Sequence, residues 1–156
     1  MYIEEIPNWI DPNTKLTGDK FRKLFIFSVI LCPVPAKSAR AVSLPESIEI
    51  PIENCKVVSA ASDMEEFLNM YNLLTFPPTG DFEERAVFTR SQDNYVLSFI
   101  DHIRNSIAHG RFNIIKTGKN EILIMEDRNR NKECSARIVV SLNTLSNWIN
   151  EMGFLN

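Results

Sequence analysis

The chain has 156 residues, 44% of them hydrophobic and 24% charged, which is the composition of a small globular protein. Its formal net charge is -3, so its overall field does not attract nucleic acid. This excludes a high-affinity, non-specific DNA binder but leaves room for a local basic site. The three cysteines, Cys32, Cys55 and Cys134, are far apart and form no CxxC. That spacing excludes a disulfide framework and a zinc site, and we expect reduced, buried thiols.

Neither a signal peptide nor a membrane span is expected. The first residues, MYIEEIPNW, are acidic and lack a signal-peptide pattern. The longest apolar run, Leu24 to Cys32, has nine residues, whereas a membrane helix needs about 20. We therefore expect a cytoplasmic protein that makes no membrane contact.

Residues 1–60 are predicted to be the irregular N-terminal part. A mostly apolar helix is predicted over 17–32, and a strand over its LFIFSVIL part is the alternative, since those residues are aromatic and β-branched. Several prolines interrupt residues 33–58. SIEIPI alternates in polarity but contains a proline, so it is typical of an edge strand or a loop.

Core helices are predicted over residues 62–112. Ser62 and Glu65 match a capping box at the start of the first. The second, from about 91 to 108, is the central helix of the chain. Its apolar residues fall on a single stripe, and Gly110 stands where a left-handed C-cap would lie. The stripe consists of Val96, Phe99, Ile100, Ile103 and Ile107.

In the C-terminal part the hydrophobic pattern changes from the spacing of a helix to the short alternating runs of β-strands. Two short β-type runs around EDRNRNK predict a hairpin over 121–140. EDRNRNKE is interpreted as its polar tip, and the alternative is that Arg128, Arg130 and Lys132 contact RNA phosphates. Helical spacing then returns over 142–154. Together these elements predict one domain over 1–156, mainly α-helical, with a β-hairpin inserted before the C-terminal helix.

The end of the central helix combines Arg104, Asn105 and His109. In an ideal helix Arg104 lies at the edge of the apolar stripe, while His102, Asn105 and His109 lie on the polar side. Arg104 and His109 are then about 140° apart around the axis. They can share a site only if the last turn unwinds at Gly110 or a second copy packs nearby, as in a two-fold dimer.

Arginine and histidine suffice for metal-free RNA cleavage. The RNA supplies its own nucleophile, the 2′-hydroxyl; imidazole can transfer the proton, and guanidinium can bind the phosphate oxygens. An ordinary helix end explains the same residues. A histidine is favoured there by the helix dipole, and an arginine often lays its stem on the core. His102 is interpreted as mainly solvated, because its face lies opposite the stripe.

The stretch IRNSIAHGRF resembles the signature of the HEPN superfamily. That pattern is R-x(4–6)-H with a polar residue directly after the arginine, and here it is Arg104, Asn105, three residues and His109. A looser similarity, to short stand-alone HEPN-like proteins of mobile elements, covers about Asp93 to Trp148. The motif ends a long apolar helix in this chain, as it does in that family.

The resemblance implies a HEPN-like helical bundle that dimerises through the motif helix. It implies a metal-independent endoribonuclease without a cofactor, of toxin or anti-phage type, whose partners are RNA and an antitoxin or regulatory protein. Arg104 and His109 would be catalytic and Asn105 their polar helper. The residues themselves suggest two weaker substrate contacts: Arg111 adds charge beside the proposed cleft, and His102 shares the polar side of the helix with His109. Some relatives carry a tyrosine at the position of Arg111 that a nucleotidyltransferase modifies, so that regulation is not expected here.

One alternative function stays open at this point. The same helix could belong to a non-catalytic HEPN-fold module for dimerisation or protein interaction. In that case Arg104 and His109 would make structural hydrogen bonds.

Overall fold

The computed structural model describes residues 48–78 and 82–152. These residues form a five-stranded mixed sheet with helices on both faces. The strands are β1 (Cys55–Val58), β2 (Arg85–Thr89), β3 (Phe112–Thr117), β4 (Asn120–Arg128) and β5 (Cys134–Ser141). The helices are α1 (Met64–Met70), α2 (Tyr95–Ala108) and α3 (Leu142–Glu151), and a 3-10 turn over Ala61–Asp63 precedes α1.

The strand order is β1-β2-β5-β4-β3. β1 pairs with β2 in parallel, and the remaining pairs are antiparallel. The hairpin of β4 and β5 therefore lies inside the sheet, with β2 and β3 on either side. The parallel β1–β2 pair requires a crossover, and α1 lies within it.

The fold class predicted from sequence was wrong. The structure is an α/β fold, not a mainly α-helical bundle with an inserted hairpin. Three strands went unpredicted because they lack the alternation of a half-exposed strand. β2 is buried at four consecutive positions starting with Arg85, and β3 mixes buried, half-buried and exposed residues without a period of two.

The sheet separates two apolar cores. Successive side chains of a strand point to opposite faces, so Leu123 and Met125 of β4 join one core, while Ile122 and Ile124 join the other. We call the face covered by α2 and α3 the motif face. The other face is covered by α1, which contributes Met64 and Leu68.

Helix α2 follows the predicted stripe closely. All five stripe residues are buried. Its start is later than predicted, at Tyr95, because the backbone N–H groups of Ser91 and Gln92 donate to the Ser98 hydroxyl instead of entering the helix. Asn94 is the N-cap, and its Oδ1 accepts from the N–H groups of Val96 and Leu97.

Other elements depart from the predictions in detail. The capping box is absent: Ser62 lies in the 3-10 turn, and the N-cap of α1 is Asp63, whose side chain makes no capping hydrogen bond. β1 falls in the part predicted to be irregular. Residues 1–47, including the predicted helix over 17–32, lie outside the described residues, as do the last residues of the segment predicted over 142–154.

Candidate functional site

The C-terminal end of α2 presents the Arg–His motif at the surface. Arg104 and Asn105 are half-buried in the last turns, and His109 is an exposed C-cap. Gly110 follows with φ of 68°, a conformation that costs a residue with a Cβ more than glycine. The predicted left-handed cap at Gly110 is therefore confirmed.

A Schellman motif fixes this helix end. The N–H of Gly110 donates to the carbonyl of Ile107 at 3.1 Å, and the N–H of Arg111 donates to the carbonyl of Ser106 at 2.8 Å. The carbonyl of Arg111 then accepts from the N–H of Glu126 at 2.9 Å, which joins the turn to β4. His109 is thus held on a turn whose backbone bonds are satisfied on both sides.

A hydrogen-bonded network runs inward from the motif. Arg104 Nη1 donates to Asn105 Oδ1 at 3.3 Å, and Asn105 Nδ2 donates to Asp127 Oδ2 at 3.3 Å. The same Asp127 oxygen lies 2.7 Å from His102 Nδ1, and His102 Nε2 lies 2.7 Å from the carbonyl oxygen of Thr89. The network connects a half-buried guanidinium to a buried carboxylate and imidazole.

The acceptors determine how the protons are distributed. The Thr89 carbonyl can only accept, so His102 Nε2 carries a hydrogen. His102 Nδ1 and Asp127 Oδ2 are then joined by a hydrogen bond of 2.7 Å. Each polar atom of this buried pair that makes a contact therefore has a partner, which offsets the cost of burying it.

The interpretation of His102 as a solvated residue was wrong. Its side chain is 4% exposed, and its ring also lies against Phe88. The prediction failed because the sheet covers a wider arc of α2 than the apolar stripe: eight of the 14 residues of the helix are buried, and polar His102 is one of them. With both ring nitrogens occupied, His102 is poorly placed to contact substrate.

The structure brings some of the predicted site residues together and leaves others apart. His102 and Asn105, expected on one side of the helix, share Asp127. Arg104 joins them through Asn105. His109 is exposed beyond the end of the network, and Arg111 is half-buried in the turn that follows.

Asp127 and Thr89 were not predicted as part of the site. The segment EDRNRNKE was interpreted as a polar hairpin tip, but Glu126, Asp127 and Arg128 are buried strand residues. The inward position of Asp127 was predictable in part, because Asp127 continues the alternation of Leu123 and Met125 along β4. Thr89 contributes a backbone carbonyl, so its residue type carried no information.

The opposite face of the sheet holds a separate ion cluster. Glu126 is fully buried between two arginines, with Arg128 Nε 2.6 Å from its Oε1 and Arg137 Nη2 2.8 Å from its Oε2. Arg137 Nη1 also donates to the carbonyls of Leu73 and Leu74, beyond the end of α1. This cluster holds the segment after α1 against the sheet and lies on the side away from the motif.

The two described cysteines are free thiols of low reactivity. Burial raises the pKa of Cys134 from 9.0 to about 12 and the pKa of Cys55 to about 11. Because the folded-state pKa is raised, protonated thiols favour the folded state, and this contribution is lost as the pH rises from about 9 through these values. Cys134 is buried as expected, whereas Cys55 is only half-buried. Cys32 lies outside the described residues.

We predict that iodoacetamide at pH 8 modifies Cys134 and Cys55 far more slowly in the native protein than in urea, because the reactive thiolate is scarce and shielded. Peptide mapping by mass spectrometry separates these sites from Cys32, and the urea-denatured sample is the control. Native labelling of Cys134 as fast as in urea would contradict the prediction.

Two further features of the described residues bear on function. Within 48–78 and 82–152, no three His, Cys, Asp or Glu side chains converge as a metal site would require. No helix in those ranges has the length and apolar character needed to cross a membrane.

Comparison with known proteins agrees with the motif. A family model described as HEPN pEK499 p136 matches residues 40–155. No curated protein and no solved structure matches the chain significantly. The matched segment contains the whole of α2, its Arg104–His109 motif and all five strands. Since the match covers well over half of the sequence, the chain belongs to the HEPN family pEK499 p136.

Proposed function

We propose that this protein is a metal-independent endoribonuclease in which Arg104 and His109 are catalytic. The observation that carries the proposal is the state of the motif at the end of α2. His109 is exposed, Arg104 is half-buried, and Asn105 between them in sequence is bonded to the buried Asp127. The motif thus presents an arginine and a histidine at a helix end fixed by backbone hydrogen bonds. Asn105, beside the arginine, is held by its hydrogen bond to the buried Asp127.

The chemistry follows from these two groups. The 2′-hydroxyl oxygen of RNA attacks the adjacent phosphorus, and the bond from phosphorus to the 5′ oxygen breaks. An imidazole of His109 takes the 2′-hydroxyl proton or donates a proton to the leaving 5′ oxygen. The Arg104 guanidinium binds the phosphate oxygens, on which negative charge grows in the transition state. The products are a 2′,3′-cyclic phosphate and a 5′-hydroxyl.

A second copy of the chain completes the proposed site. Arg104 lies in the last turns of α2 and His109 is its C-cap, and on an ideal helix two residues five apart diverge by about 140° around the axis. In the dimer we propose, the two helix ends face each other across a two-fold axis, and the arginine of one copy pairs with the histidine of the other. RNA would then bind in the cleft between the two copies, with Arg111 as an added positive charge beside it.

The test is cleavage of a mixed RNA pool in EDTA, with the product ends analysed. We expect cleavage that leaves 2′,3′-cyclic phosphate and 5′-hydroxyl ends and is lost in Arg104→Ala. No cleavage by wild-type protein that is confirmed to be folded and dimeric would refute the proposal. It would favour the non-catalytic interaction module, in which Arg104 and His109 serve contacts with a partner.

The biological role we propose for this activity is that of a toxin or anti-phage effector restrained by an antitoxin or regulatory protein. Uncontrolled RNA cleavage damages the cell that carries it, so such an enzyme requires restraint. Expression of wild-type protein should slow bacterial growth, and expression of Arg104→Ala should not. Equal growth in both cases, at equal protein levels, would argue against this role.

A further inference from the structure

We infer that Asp127, held by His102, is a positioning residue that orients Asn105 and through it the Arg104 guanidinium. This inference rests on the proposed ribonuclease function and adds to it a part of the site that lies beneath the surface. It assigns a role to two buried titratable groups that the proposed chemistry does not otherwise use.

The first step of the argument is the amide of Asn105. A carboxamide can present either its oxygen or its nitrogen to a neighbour, and its two ends have opposite polarity. A carboxylate oxygen of Asp127 accepts from Nδ2, so the amide oxygen faces the other way, where it accepts from Arg104 Nη1. Asp127 thereby selects the one amide orientation that attracts a guanidinium.

The second step is the rigidity of Asp127. Its side chain is 5% exposed, and His102 contacts the same oxygen at 2.7 Å. His102 is fixed in turn by the Thr89 carbonyl at 2.7 Å, at the end of β2. The orientation of Asn105 is therefore set by two strands of the sheet and not by the helix alone.

The third step excludes the other roles this pair could have. A histidine–aspartate pair resembles the base of a hydrolase, but such a base needs a free ring nitrogen toward its nucleophile. Here the Thr89 carbonyl occupies Nε2. The pair therefore acts on the reaction through Asn105, whose Nδ2 donates to Asp127 and whose Oδ1 accepts from Arg104 of the surface motif.

The experiment is a double-substitution cycle in kcat and KM for RNA cleavage. We expect Asp127→Asn to lower kcat about fivefold to tenfold, the size of one lost hydrogen bond, with a smaller change in KM. In the Asn105→Ala background the same substitution should change kcat by less than about twofold, because the residue it acts through is gone. Equal effects of Asp127→Asn in both backgrounds would overturn the inference.

The matched control is Ile124→Val, on the same strand and fully buried, but on the opposite face of the sheet. It should lower stability in urea without changing kcat, which separates a loss of packing from a loss of positioning. If Asp127→Asn does not fold, Asn105→Asp tests the same contact from the half-buried side, since it sets two carboxylates against each other. Unchanged kcat in Asn105→Asp would also overturn the inference.

The failure of this inference can be told apart from the failure of the proposed function. The second readout is the NMR signal of the Arg104 guanidinium, which should be narrowed by free rotation in Asp127→Asn and not in Ile124→Val. No RNA cleavage by wild type, with this NMR difference present, would refute the nuclease and leave the positioning contact standing. Wild-type cleavage with no effect of Asp127→Asn on either readout would refute the positioning role alone.

Discussion

Replacing His109 with alanine is expected to lower kcat for RNA cleavage by about 10²- to 10⁴-fold, the usual contribution of a general acid or base. The folded structure should be unaffected, because His109 is exposed and the turn after it is held by backbone hydrogen bonds of Gly110 and Arg111. The measurement is kcat on a defined RNA in EDTA, beside urea unfolding of each variant.

His109→Asn is the control for a purely structural effect. Asparagine is tolerated at helix ends but cannot transfer a proton near neutral pH. The loss of kcat should therefore be as large as in His109→Ala. Recovery of activity in His109→Asn would indicate that the residue serves as a cap and would contradict a catalytic role.

The proposal that each site takes Arg104 from one copy and His109 from the other allows a sharper experiment. Arg104→Ala and His109→Ala, each inactive alone, should restore activity when co-expressed with different tags. A mixed dimer has one intact site if each site takes its arginine and its histidine from different copies. With random pairing, we expect about a quarter of wild-type activity. No recovery in purified mixed dimers would place both groups of a site on one chain.

Glu126→Ala is expected to destabilise the fold more than any surface substitution, by about 3–5 kcal/mol. Glu126 is fully buried and accepts from both Arg128 and Arg137. Its loss leaves two buried guanidiniums without their shared carboxylate. It also weakens the hold of Arg137 on the carbonyls of Leu73 and Leu74. The free energy of unfolding in urea measures the effect.

Glu133→Ala is the matched control for that substitution. Glu133 is exposed in the turn between β4 and β5, where it accepts from the side chain of Asn129. Its removal should change the free energy of unfolding by no more than about 0.5 kcal/mol. A loss below about 1 kcal/mol in Glu126→Ala would mean that water or a rearranged neighbour satisfies the arginines.

Some elements of the fold were predictable from hydrophobic patterns in the sequence, and others were not. Helix α2 was predictable because its apolar residues keep a helical period and Gly110 marks its end. The hairpin strands β4 and β5 were also visible as β-type runs. β2 was not, since a strand buried on both faces shows no alternation between apolar and polar residues. β3, at the edge of the sheet, was not predicted either, because its burial follows no period of two. Because these strands were missed, the sequence predicted a mainly helical fold, and that prediction was wrong.

The residues of the candidate site likewise fall into those predicted from the sequence and those found only in the structure. Arg104, Asn105 and His109 stand within six consecutive residues, so the sequence by itself determined the motif, its place at a helix end and the family resemblance. Only the tertiary structure decided that His102 is buried and that Asp127 contacts Asn105. The reason is physical: a buried polar side chain must find hydrogen-bond partners. Those partners came from β2, which precedes α2, and from β4, which follows it, and the placement of both strands against the helix depends on the whole sheet.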